Sequence, residues 1–177
     1  MVTLKEARRV IEAAERKASE IGHPMNIAVV DEGGNLVSHV RMDGAWIGSI
    51  DISINKAYTS RAFDISTKDL AQYSQSGGQF FGIHVSNHGR VMIVVGGIPL
   101  RRGGKVAGGA GVSGGSGEQD HTVGEAGAKA FQILKGANIY GKQSWSGIRR
   151  SGKSRGTADR FSEVIVGIAE VRARRDP

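Results

Sequence analysis

Ten of the chain's 27 glycines fall within the 25 residues from Gly96 to Asp120. Glycine loses more conformational freedom on folding than any other residue. Such density inside a folded domain is accounted for by turns of positive φ and by close approach of the backbone to another element. The segment reads as a strand, a tight turn over Leu100 to Gly104, a second strand from Lys105 to Val112, a glycine loop and then the start of a helix.

The rest of the chain bounds what this ribbon belongs to. At 177 residues, with 39% hydrophobic and 23% charged residues, the expectation is one globular domain with a sufficient core. There is no cysteine, which excludes a disulfide framework, thiolate metal sites and cysteine nucleophiles. The first 22 residues are charged throughout and lack a signal-peptide core, and no apolar run is long enough to span a bilayer. A cytoplasmic protein without a membrane partner is expected.

Charge is concentrated at one end. Residues 1–134 hold 14 Lys/Arg and 13 Asp/Glu, whereas residues 135–177 hold 10 and 4, so +6 of the net +7 lies in the last quarter. A nucleic-acid-binding domain shows its basic face on the folded body. Here the body is nearly neutral, so nucleic acid is not the expected partner.

Thr3 and Glu6 form a capping-box pattern, followed by apolar residues at helical spacing as far as Ile21, with Gly22 as the stop. Asn26 to Val30 and Leu36 to Arg41 read as a hairpin around Asp31-Glu32-Gly33-Gly34-Asn35. A helix is expected from Ser49, with Ile50, Ile54, Ala57, Tyr58 and Ala62 as its apolar face, and a shorter one from Thr67 to about Ser74. Val91 to Val95 reads as a buried strand, and Glu118 to Leu134 as a helix. The order α-β-β-α-α-β-β-α predicts an α+β fold, a single antiparallel sheet with helices packed on it. The domain is expected over residues 1–135. Residues 136–177 read as a basic arm and a terminal helix (Phe161 to Arg172), packed on their own or a neighbouring subunit.

Several patterns invite a chemical reading. Gly109-Ala110-Gly111-Val112-Ser113-Gly114 matches G-x-G-x-x-G, but no strand follows the next helix, and Glu118 and Asp120 would repel a pyrophosphate at the helix start. Backbone packing is the better reading. His84 and His88 have i, i+4 spacing, yet Gly82 and Gly89 flank them and argue against a helix. His121 follows the glycine loop beside Glu118 and Asp120, where a carboxylate would fix its tautomer or raise its pKa. Arg41 and Asp43 end a strand, at a sheet rim. Lys56 lies among apolar residues of the second helix and is expected to snorkel or to pair with a carboxylate such as Asp31 or Asp43.

The blocks Asn26 to Leu36, Arg41-Met42-Asp43-Gly44-Ala45, Lys56-Ala57, Gly96-Gly97-Ile98-Pro99-Leu100 and Gly108 to Asp120 together resemble the GlcG/HbpS family. This haem-binding or haem-degrading family includes the C-terminal domain of PduO-type corrinoid adenosyltransferases. The resemblance covers roughly residues 3–134. It implies an oligomeric sandwich of one antiparallel sheet with helices, and a homo-oligomer is expected. It also implies a small-molecule ligand, haem or a related tetrapyrrole; such a ligand is expected in an apolar slot lined by Ile, Val, Met and Phe, with one histidine as axial ligand. The chain departs from the family's pattern in His121-Thr122-Val123-Gly124 and in its basic C-terminal extension.

Two other functions stay open. One is a cofactor-independent enzyme doing acid/base chemistry on a small anionic or aromatic metabolite, with His121, Asp43 and Glu118 as candidate catalytic groups. Arg41, Lys56, His84, His88 and Ser113 are the candidate ligand-binding residues, and no metal-ligating set is identified. The other is an assembly module acting through the basic arm.

Overall fold

In a computed structural model, the described residues are 1–133, and the expected arm and terminal helix lie outside them. The elements are α1 (Leu4–Glu20), β1 (Asn26–Val30), β2 (Leu36–Arg41), α2 (Ser49–Ala62), α3 (Thr67–Tyr73), β3 (Gly97–Arg102), β4 (Lys105–Ser113) and α4 (Gly117–Ile133). Two short 3-10 turns, Ile83–Val85 and Asn87–Gly89, lie between α3 and β3. The strands form one antiparallel sheet in the order β2-β1-β4-β3.

α1 starts as its capping box directs: Thr3 Oγ1 accepts from the Glu6 amide, and the Glu6 carboxylate accepts from the Thr3 amide at 2.9 Å. Its buried face, Ala7, Val10, Ile11, Ala14 and Ala18, joins Ile27, Val29, Leu100, Val112, Val123 and Phe131 in the main core. That core fills the side of the sheet covered by α1 and α4. Central β1 is buried along its whole length.

The other side is covered by α2, and here the expected apolar face is only partly the buried one: Ala57 is buried and Ile54 packs beside it on Ala28 and Val30. The buried residues of α2 are Ser49, Ser53, Lys56, Ala57, Thr59 and Ser60, while Ile50, Ile54 and Tyr58 are half-buried and Ala62 is exposed. The reason is the glycine strand. A Cβ on Gly111 would lie 2.0 Å from the Ser53 carbonyl oxygen and 2.4 Å from the Ala57 amide. At that separation only small side chains fit between helix and sheet. The hydroxyls are satisfied inside the helix: Ser53 Oγ donates to Ile50 O, Thr59 Oγ1 to Asn55 O and Ser60 Oγ to Ala57 O.

One strand assignment fails. Val91 to Val95 does not join the sheet, and β3 begins at Gly97, opposite Gly111. The preceding segment is tied to α2 instead. Thr59 Oγ1 accepts from the Met92 amide at 2.9 Å and lies 3.2 Å from Arg90 O. With the Met92 amide taken by the Thr59 hydroxyl, the stretch is held to α2 at that point and not in the ladder. The tight turn is shorter than expected, only Gly103 and Gly104, because Leu100 to Arg102 continue β3.

Candidate functional site

The sheet rim where β4 ends gathers several of the singled-out residues. Lys56 reaches from α2 to the start of α4, with Nζ donating to Asp120 Oδ2 at 2.7 Å and to Val112 O at 2.8 Å. Both side chains are almost wholly enclosed, 3% and 5% exposed. Burial lowers the lysine's proton affinity from its ordinary value, and the facing Asp120 carboxylate opposes that. Asp120 Oδ1 accepts from the Gly115 amide at 2.9 Å, closing the glycine loop onto the first turn of α4. Gly96 lies against this pair with φ +125°, and a Cβ there would stand 2.5 Å from Val112 O and 3.0 Å from Lys56 Nζ.

The carboxylate of Lys56 is thus Asp120, not Asp31 or Asp43. Asp31 instead closes the β1–β2 turn, accepting from the Gly33 and Asn35 amides. Asp120, turned toward Lys56, is not the partner of His121. His121 Nε2 lies 3.2 Å from Glu125 Oε1, one turn further on, and its buried Nδ1 has no partner among the described residues. Glu118 is exposed in the first turn of α4.

A polar row crosses the same rim. Arg41, Asn26 and Ser113 are neighbours in register on β2, β1 and β4. Ser113 Oγ donates to Ser49 Oγ at 3.2 Å, at the start of α2. Asn26 is completely buried; its Nδ2 donates to Trp46 O at 2.9 Å, and its Oδ1 has no partner among the described residues. An unpaired buried acceptor costs about 1–3 kcal/mol. Arg41 and Asp43 are both exposed. Asn26, Ser49 and Asp120 were missed as members of this cluster. A polar residue opening the otherwise apolar run of β1 was the available signal for Asn26.

His84 and His88 lie elsewhere, exposed on the two 3-10 turns between α3 and β3. His88 has φ +57°, so the pair does not share a helix face. Phe81 and Val85 beside them are 65% and 74% exposed. This segment is pinned to α2 through Tyr58: Asn87 Nδ2 donates to its hydroxyl at 3.0 Å, and the Arg90 guanidinium stacks 3.8 Å from its ring centre. Among the described residues, no group of three or more His, Asp or Glu is placed to hold a metal ion. No described helix is long and apolar enough to cross a membrane.

Two surface grooves on the described residues do not have the character of the expected apolar slot. One, of about 480 Å³, is lined by Glu6, Arg101, Arg102, Phe131 and neighbouring loop residues. The other, of about 710 Å³, is lined by Glu12, Glu15, Arg16, Ser19 and Glu20. Lys56 and Ser113, expected to bind ligand, are buried and engaged with protein groups.

A four-stranded antiparallel sheet, covered by two helices on one face and closed by a glycine strand against a third on the other, defines a small α+β sandwich domain. Residues 2–129 match the model of the haem degrading protein HbpS-like family, and the chain belongs to that family. It is 41% identical over 133 residues to an uncharacterized 15.0 kDa protein of the dhaT-dhaS intergenic region of Citrobacter freundii, covering 75% of this chain and 94% of that protein. It is 32% identical over 132 residues to the corrinoid adenosyltransferase PduO of Citrobacter freundii, covering 75% of this chain but only 39% of PduO. Among solved structures, Klebsiella pneumoniae ORFY superposes with a TM-score of 0.72 at 36% identity, covering 73% of this chain and 90% of that one. PduOC, solved as a heme complex, gives a TM-score of 0.67 at 31% identity, covering 70% and 89%.

Proposed function

We propose that this chain binds haem or a closely related tetrapyrrole at the surface of the segment between α3 and β3, with His84 as the axial imidazole. The observation that carries the reading is the likeness to PduOC, a protein solved with heme, over 70% of this chain. Haem iron is commonly held by an imidazole, with apolar side chains against the ring. His84 is exposed, and exposed Phe81 and Val85 flank it in the chain. His88, one 3-10 turn further on, is the second available imidazole. Bound there, haem would supply an iron centre for redox or ligand-exchange chemistry.

A ring bound on an exposed surface leaves one face uncovered, which agrees with the homo-oligomer expected for this chain, a second copy supplying the cover. Absorbance titration tests the reading. Micromolar hemin should produce a saturable Soret shift that His84→Ala abolishes and His88→Ala leaves. A shift lost only in His88→Ala moves the ligand to that residue; no saturable shift in the parent chain overturns haem binding.

A further inference from the structure

We propose that the polar row Arg41–Asn26 at the rim of the sheet is a binding site for a small 2-hydroxycarboxylate, with Arg41 taking the carboxylate and Asn26 Oδ1 accepting from the hydroxyl. The two residues are directly opposite one another on β2 and β1, so their side chains leave the same face of the sheet. Arg41 is exposed and makes no hydrogen bond or ion pair among the described residues, although Asp43 is only two positions away. A free guanidinium beside a sheet end is suited to a carboxylate, which it holds through paired N–H donors.

Asn26 supplies the complementary half. Its amide nitrogen is committed to the Trp46 carbonyl, which fixes the orientation of the side chain and leaves Oδ1 as a buried acceptor without a donor. Buried acceptors in folded proteins are almost always paired, so this atom calls for a donor from outside the described chain. Arg41 contributes only donors and Asn26 Oδ1 only an acceptor. A ligand matching both carries an anion and a hydrogen-bond donor, which a hydroxyl supplies. The neighbouring Ser113 and Ser49 hydroxyls bond to each other and so do not supply the donor to Asn26.

Cover is provided by the segment joining β2 to α2. Its tip, Trp46 and Ile47, is 68% and 75% exposed, and the Trp46 carbonyl rests on Asn26. Because the Trp46 carbonyl holds the Asn26 amide, the emission of Trp46 should report a ligand bound at Asn26. The site uses none of the residues assigned to the tetrapyrrole, so either proposal stands or falls alone.

Calorimetric titration of the full chain with lactate, propionate and lactamide tests the assignment. Lactate should bind at least about tenfold more tightly than propionate, which lacks the hydroxyl, and than lactamide, which lacks the charge. Arg41→Gln, at an exposed position, should reduce lactate binding to the level of lactamide while leaving the thermal midpoint unchanged. In a Trp145→Phe background, lactate but not propionate should change the emission of Trp46. Equal affinities for lactate and propionate, an Arg41→Gln variant that binds lactate normally, or no binding up to about 10 mM would each overturn the proposal.

Discussion

Lys56 Nζ stands 2.7 Å from Asp120 Oδ2, with both side chains removed from water, and this contact joins α2 on one face of the sheet to the first turn of α4 on the other. A buried pair adds little net stability over well-packed apolar groups, but removing one partner strands the other charge. Lys56→Met and Asp120→Asn should each cost about 3–5 kcal/mol in urea denaturation. The double variant Lys56→Met/Asp120→Asn should lose clearly less than the sum of the two. Additive losses would mean that the two groups are not coupled.

Gly111 is the position where the α2 backbone comes closest to β4. Gly111→Ala puts a methyl group into the Ser53 carbonyl and the Ala57 amide, so it should destabilise by about 3 kcal/mol or more. Gly22→Ala meets no atom within 4 Å and carries only the strain of φ +71°. It should cost about 1 kcal/mol. Comparison of the two melting curves separates close packing from backbone conformation.

The capping box of α1 gives a smaller effect. Thr3→Ala removes the acceptor for the Glu6 amide and should lower stability by about 1 kcal/mol. Thr3→Ser should recover most of it, since the hydroxyl rather than the methyl group caps the helix.

His39 provides a pH test. Its Nε2 is buried without a partner among the described residues, and burial lowers its pKa below the ordinary 6.5. The unfolded chain therefore binds this proton more readily than the folded one. Stability should fall as pH drops from 6.5 through the lowered folded-state pKa, and the contribution should vanish above 6.5. His39→Gln should flatten the dependence of the thermal midpoint between neutral pH and about pH 5. An unchanged slope would show that His39 is not charged on unfolding in that range.

The sequence carried the order of the elements and the place of the four α-helices and of three strands, because periodicity, caps and turn residues are local signals; the third strand was expected at Val91 to Val95, ahead of β3. Val91 to Val95 misled since an apolar run reads alike whether it pairs with a strand or lies along a helix; here the Thr59 hydroxyl decides. The inward face of α2 was read correctly at Ala57 but not at its serines, threonine and lysine, for a related reason. Hydrophobicity marks the buried side of a helix only when the surface opposite has side chains, and β4 presents Gly109 and Gly111 instead. The glycine ribbon did announce a close backbone approach, though not which element made it. At the site, Lys56 was visible as an anomalous cation on a helix, but its partner lies 64 residues away and spacing gives no access to it. Asn26 Oδ1 became informative only once its surroundings were known, because a missing hydrogen bond is a property of the fold and not of the residue.

The most direct test of the account is to record amide proton–nitrogen spectra of the labelled chain while ferric haem is added. Paramagnetic broadening should first remove the signals of residues 81–88, leaving α1 and the Lys56–Asp120 region sharp at equal haem and protein. Broadening centred on any other element, or spread evenly over the chain, would contradict a tetrapyrrole site at His84.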